Sequence, residues 1–230
     1  MADRPYTLLS CSMSIDGFID GATESRLVLS NDLDLDRVDE ERAGVDAILV
    51  GATTVRNDNP RLLVRDPDRR RERIARGLSP SPVKVTLTQR GRLDPSCRFF
   101  ADDGCRKLVY AGSGVAERVR DRLAGVSEVV DAGEPVRMGS LVHDLHARGV
   151  RRLMVEGGGD VHTQFLADDL ADELQLVVAP FFVGEPGARR FVGEAHFPWH
   201  PGHRARLAET RQLGDVVLLR YALSDRFDTR

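Results

Sequence analysis

Residues 153–166 read L-M-V-E-G-G-G-D-V-H-T-Q-F-L, and the rest of the chain can be laid out from them. Leu153, Met154 and Val155 form an apolar run too short for a helix and bounded by glycines, which reads as a buried strand. Gly157, Gly158 and Gly159 let the backbone turn sharply and approach a ligand without Cβ atoms in the way. From Asp160 onward Val161, Phe165 and Leu166 recur at helical spacing. Strand, glycine turn and helix in succession offer backbone N–H groups and the positive end of a helix dipole, a setting suited to phosphate. Glu156 stands at the strand's carboxyl end, where open α/β sheets place their ligands. A plain tight turn also accounts for the glycines. The glutamate immediately before them makes the segment a candidate site.

Working outward, the 230 residues are 41% hydrophobic, enough for one sizeable domain, and the reading is a single domain over residues 1–230. No apolar run approaches the ~18–20 residues of a membrane span. The N-terminal residues lack the apolar core and cleavage site of a signal peptide. Cys11, Cys97 and Cys105 are odd in number and form no C-x-x-C, which argues against a disulfide framework or a zinc site. These features predict a cytoplasmic protein with reduced thiols. The net charge of −3 gives no global basic field for nucleic acid. The local run Arg69-Arg70-Arg71-Glu72-Arg73 has no interleaved aromatics to stack on bases, so it reads as a solvated loop or short exposed helix.

Thr7–Met13 is an apolar strand, followed by the turn Ser14-Ile15-Asp16-Gly17. Ser30 is the expected N-cap of a helix with Asp32, Asp34 and Asp36 in its first turns and Leu35, Val38 and Arg42 on one face; Gly44 closes it. A strand at 45–50 leads through Gly51 to a short helix ended by Asn57-Asp58-Asn59-Pro60, and Leu62-Leu63-Val64 reads as extended. Strands at 83–87, 107–110 and 128–130 then alternate with helices at 115–123 and 138–147, the pattern of a parallel α/β sheet. Strands at 174–178, 204–209 and 216–223 have no helices between them, so the last two read as an antiparallel pair.

Several ordered motifs carry a resemblance across essentially the whole chain. M-S-I-D-G at 13–17, E-R-A-G-V-D-A-I-L-V-G-A-T-T-V at 41–55, N-D-N-P-R-L at 57–62, V-E-G-G-G at 155–159 and L-A-D-E-L-Q-L-V-V-A-P at 170–180 occur in sequence. Together they resemble the reductase domain of riboflavin biosynthesis, whether fused to a deaminase or standing alone as in archaea and fungi. The H-x-E and P-C-x-x-C of that deaminase do not occur here. The resemblance implies a dihydrofolate-reductase-like three-layer α/β fold, with a mostly parallel mixed central sheet and antiparallel C-terminal strands. It implies NADPH-dependent reduction of the ribosyl group of a ribosylaminopyrimidine 5′-phosphate to a ribityl group, by hydride transfer to C1′ of the imine form. It also implies a homodimer.

The resemblance further places the cofactor on Ser12, Thr54, Asp58, Gln89 and the segment Gly158, Gly159, Asp160, Val161, His162, Thr163 and Gln164. Arg90 and Arg92, beyond the same strand as Gln89, are further candidates for a 2′-phosphate. It places the substrate on Ser25, Arg42, Leu62, Arg65 and Glu156. Arg42 and Arg65 suit a 5′-phosphate, because a guanidinium can fork onto two of its oxygens. Glu156 can accept N–H bonds from an aminopyrimidine, and Asp58 either caps a turn or faces the cofactor. Both are candidate catalytic residues, with the proton donor unknown. His162 reads either as a pyrophosphate contact or as a partly solvated helix residue. His196, His200 and His203 share helical spacing, yet Pro198, Pro201 and Gly202 deny them the helix, so no metal is expected.

Two other functions are compatible with the sequence. One is a dihydrofolate reductase or secondary-metabolite reductase on the same scaffold. The other is a non-catalytic NADPH-binding module, which would have no need of Arg42 and Arg65.

Overall fold

The computed structural model describes residues 3–22 and 27–227. In chain order the elements are β1 (Tyr6–Ser14), α1 (Asp32–Ala43), β2 (Ala47–Gly51), α2 (Ala52–Asp58), α3 (Pro67–Ala75), β3 (Val83–Thr88), β4 (Lys107–Ala111) and α4 (Ser113–Arg122). They continue with β5 (Glu128–Asp131), α5 (Met138–Ala147), β6 (Arg152–Val155), α6 (Gly159–Ala167), β7 (Glu173–Ala179), β8 (Arg206–Leu213) and β9 (Val216–Ala222). The fold is mixed α/β, mostly parallel, with antiparallel C-terminal strands. The described residues divide into two compact units: 3–5 with 39–154, and 6–22 and 27–38 with 155–227.

In the first unit the strand order is β5-β4-β3-β2-β6. The pairs β2/β3, β3/β4 and β4/β5 are all parallel. β2 and β4 are buried along their whole length, as expected of parallel strands covered on both faces. Parallel pairing also aligns the carboxyl ends of β2, β3 and β4, so the segments opening with Ala52, Gln89 and Gly112 leave the sheet along one edge. Asp46, just before β2, accepts the amides of Arg151 (2.8 Å) and Arg152 (2.9 Å), fixing the start of β6.

In the second unit the order is β1-β7-β9-β8, with β1/β7 parallel and β7/β9 and β8/β9 antiparallel. Asp172 is fully buried and accepts the amide of Thr7 at 2.8 Å and the hydroxyl of Ser224 at 2.6 Å. Asp16, in the turn after β1, takes the amides of Val183 (3.1 Å) and Gly184 (2.8 Å). These bonds lower its pKa: the Ser14 hydroxyl leads, and together with the backbone amides it outweighs a small desolvation effect.

Local expectations for helix α1 and for the stretch from Leu62 are corrected. Helix α1 is capped by Asn31, whose Oδ1 accepts the Asp34 amide at 3.0 Å, rather than by Ser30. Its buried face is not apolar: Leu35 is 38% exposed, whereas Asp34, Arg37 and Asp39 are buried. The helix therefore packs through charged groups that are paired, the condition under which such burial is tolerated. The stretch from Leu62 is not extended either, because Leu62 has φ +53°, in the left-handed region. The arginine run forms the short, mostly exposed helix that was one of its two expected readings, α3, capped by Asp66 through the Asp68 and Arg69 amides. Its Arg73 is buried, donating to the carbonyls of Ala43, Val45 and Ser79, because an arginine can satisfy several carbonyls at once.

Candidate functional site

In the second unit the glycine segment is built as a cradle. Gly157 has φ +120°, a conformation that L side chains rarely adopt, and the Gly157–Gly158 peptide is cis. Gly158 is the N-cap of the nine-residue helix α6, and no described side chain caps that end. Its carbonyl accepts the amides of Val161 (2.9 Å) and His162 (3.0 Å), leaving the amides of Gly159 and Asp160 ahead of the first intrahelical bond. A Cβ on Gly159 would lie 2.5 Å from the carbonyl oxygen of Arg190. Thr163 ties the helix to that same loop, donating to the Gly159 carbonyl (2.7 Å) and accepting the Gly193 amide (2.8 Å).

The side chains of this segment divide by exposure. Asp160 and Gln164 are exposed, and Glu156 is half-buried at the end of β6. Val161 and His162 are buried at 5% and 1% exposure, so their side chains pack inward and what they present to a ligand is backbone. This corrects the partly solvated reading of His162. Its Nε2 lies 3.4 Å from the Val155 carbonyl, and its Cε1 lies 3.8 Å from where a Gly157 Cβ would be. Burial pushes its pKa down to about 4, against the opposing pull of the Val155 and Phe191 backbone, so the ring is neutral at pH 7.

Ser12, near the carboxyl end of β1, lies at the head of a buried polar network that periodicity did not reveal. Its hydroxyl is 3.1 Å from that of Ser30 and 3.4 Å from Asp34. Asp34 pairs with Arg37 (2.8 Å), and Arg37 also donates to Gln175. Gln175 donates to Glu173 (2.9 Å), which accepts the Tyr6 hydroxyl (2.7 Å) and pairs with Arg220 (2.7 Å). Ser25, expected to touch substrate, lies outside the described residues.

In the first unit Thr54 is half-buried on α2, directly after β2, and Asp58 is exposed at that helix's last position. Gln89 is exposed just past β3, and a Cβ on Gly112, the N-cap of α4, would lie 2.9 Å from its Oε1. Arg90 and Arg92 are exposed in the following turn.

Arg42 reaches the loop formed by residues 62–66, which contains Arg65. Arg42 Nη1 donates to the Leu63 carbonyl at 3.3 Å. Ser81 accepts the Val64 amide at 2.9 Å. Asp39, 2% exposed, accepts the amides of Arg65 (2.6 Å) and Asp66 (3.0 Å) and pairs with Arg69 Nη1 at 3.1 Å. Burial would raise the Asp39 pKa, but these amides, the Arg69 bond and the Arg65 charge outweigh it and hold it below the usual carboxylate value. Asp39 was missed from sequence. The available signal was its spacing three residues before Arg42 on a helix, which puts both on one face.

Residues 5–219 match the model of the RibD C-terminal domain. The chain is 35% identical to the 2,5-diamino-6-ribosylamino-4(3H)-pyrimidinone 5′-phosphate reductase of Methanothermobacter thermautotrophicus, over 96% of this chain and 99% of that one. It is 36% identical to the reductase of the same name from Archaeoglobus fulgidus, over 79% of this chain and 83% of the relative. Among solved structures it resembles a deaminase/5-amino-6-(5-phosphoribosylamino)uracil reductase from Thermotoga maritima, with a TM-score of 0.75 and 23% identity. That likeness covers 95% of this chain and 56% of the other, so the chain spans little more than half of the bifunctional enzyme.

Proposed function

The chain belongs to the RibD C-terminal domain family, and on that footing we propose that it reduces a ribosylaminopyrimidine 5′-phosphate to its ribityl counterpart with NADPH. The observation that carries this reading is the pair of arginines at the 62–66 loop: Arg42 reaches its Leu63 carbonyl, and Arg65 stands in it with an exposed side chain. Guanidinium groups recognise phosphate by paired, charge-assisted bonds, which favours a substrate carrying that group. The names of the archaeal relatives favour the undeaminated 2,5-diamino pyrimidinone as substrate.

The residues of the glycine cradle fit a dinucleotide. A helix start whose first amides have no side-chain cap suits a diphosphate held by backbone N–H groups. In the second unit Ser12, Gly158, Gly159, Asp160, Val161, His162, Thr163 and Gln164 would hold it; Thr54 and Asp58 are the cofactor contacts proposed in the first unit. Gln89 or the neighbouring arginines would meet the 2′-phosphate. When bound, NADPH supplies the hydride to C1′ of the ring-opened imine.

The protein's own tasks are binding, orientation and exclusion of water. Arg42, Leu62 and Arg65 hold the substrate's phosphate and ribose end, with Ser25 as a further contact. Glu156 accepts N–H bonds from the pyrimidine. Glu156 and Asp58 are the candidate donors of the proton that balances hydride addition. The enzyme acts in the cytoplasm as a homodimer of single-domain subunits. Among the described residues no helix is long and apolar enough to cross a membrane.

The test is NADPH consumption with the undeaminated and deaminated ribosylaminopyrimidine phosphates side by side. Turnover of the undeaminated compound is expected. Binding of NADPH with no turnover of either compound would refute the assignment.

A further inference from the structure

We infer that Asp39 is a positioning residue for recognition of the substrate's anionic group, holding the 62–66 loop in the conformation that presents Arg65. The inference rests on the assignment of Arg65 to that group made above.

Leu62 is 2% exposed and has a left-handed backbone, a conformation that costs a leucine energy and persists only where the surroundings impose it. Here the surroundings are identifiable. Arg42 takes the Leu63 carbonyl, Ser81 takes the Val64 amide, and Asp39 takes the amides of both Arg65 and Asp66. Asp39 thus anchors two consecutive peptide units, one of them belonging to the arginine itself. The Arg65 Nε lies 3.5 Å from the same carboxylate, yet its side chain remains 56% exposed. The carboxylate therefore holds Arg65 twice, through its backbone amide and at the Nε edge of its guanidinium, while more than half of the side chain stays exposed.

The chemistry requires a carboxylate. An ionised Asp is purely an acceptor, so each of its oxygens can receive an N–H. An Asn of the same shape would turn an NH2 group, itself a donor, onto one of those amides or onto Arg69. Because Asp39 and Arg42 lie on the same face of α1, one helix end supplies both the loop's anchor and one of the two arginines.

The experiment compares kcat and KM for the phosphorylated substrate and its dephosphorylated counterpart, in wild type, Asp39→Asn, Arg65→Ala and the double variant. Asp39→Asn is expected to raise KM for the phosphorylated substrate roughly tenfold, the loss typical of a charge-assisted bond, with kcat and the dephosphorylated substrate little changed. Adding Arg65→Ala should then cost much less than it does alone, since both changes remove one function. Equal losses on both substrates would show Asp39 to be merely structural, and an intact phosphate preference in Asp39→Asn would also overturn the inference. If Arg65→Ala itself leaves the preference intact, the assignment of Arg65 fails and the inference falls with it. Should Asp39→Asn not fold, Arg69→Gln, which removes one bond to the same carboxylate, is expected to reduce the preference by a smaller factor. An unchanged preference there would count against Asp39.

Discussion

The carbonyl oxygen of Arg190 lies 2.5 Å from the point where a Cβ on Gly159 would sit, so helix α6 can begin against that loop only with a glycine. Real Cβ atoms do not approach backbone oxygen so closely, and here the obstacle is main chain that cannot rotate away. Gly159→Ala must therefore push the helix start off the 190–193 loop. We expect NADPH to bind at least tenfold more weakly, as measured by titration of cofactor fluorescence, since phosphate affinity depends on correctly placed helix amides. Unaltered cofactor affinity would exclude the cradle as the binding site.

The buried imidazole of His162 makes stability depend on pH. Its pKa of about 4 in the folded protein lies below the ~6.5 of an unfolded chain. Above pH 6.5 the ring is neutral in both states and contributes nothing to pH dependence. As pH falls from about 6.5 to about 4 the unfolded state gains a proton that the folded state refuses, and stability drops by about 2–3 kcal/mol. Urea unfolding of His162→Leu at pH 7.5 and 4.5 should show a correspondingly smaller loss between the two than wild type.

Arg37 lies between Asp34 and Gln175 with almost no solvent contact. Arg37→Met should destabilise the protein by roughly 3–5 kcal/mol, because it leaves a buried carboxylate without its cation. Asp34→Leu added to it should recover part of that loss, since the pair's burial is itself costly. Denaturant unfolding curves of the three proteins decide the matter.

Asp169 follows helix α6 with φ +54° and an exposed side chain. Glycine adopts this conformation without steric cost, so Asp169→Gly should raise stability by roughly 0.5 kcal/mol after the entropy gained by the unfolded chain is subtracted. Turnover should be unchanged. A lower denaturation midpoint would contradict this account of the helix end.

Elements whose cores are apolar were legible in the sequence. Helix α5 occupies Met138–Ala147 as expected, because Met138, Leu141, Val142 and Leu145 give it a regular buried stripe. The antiparallel tail was legible too, since nothing helical separates its strands. What escaped was everything held by polar groups. Helix α1 buries Asp34, Arg37 and Asp39 and leaves Leu33 and Leu35 exposed, and no hydropathy pattern reports that charges will find partners on other elements. The left-handed turn at Leu62 was invisible for the same reason: leucine does not favour that conformation, and the residues that follow it are fixed by a bond donated by Arg42 and by bonds accepted by Ser81 and Asp39. The sequence therefore pointed to Arg42 and Arg65 through resemblance, and the structure supplied the groups around them.

The carboxylates of Asp16, Asp39, Asp46 and Asp172 all grip main-chain amides of distant residues. A backbone N–H is common to every amino acid except proline. The grip itself makes no demand on the side chains at positions 7, 65–66, 151–152 and 183–184. Four aspartates thus hold seven positions through the main chain alone. Proline is the substitution those seven cannot accept.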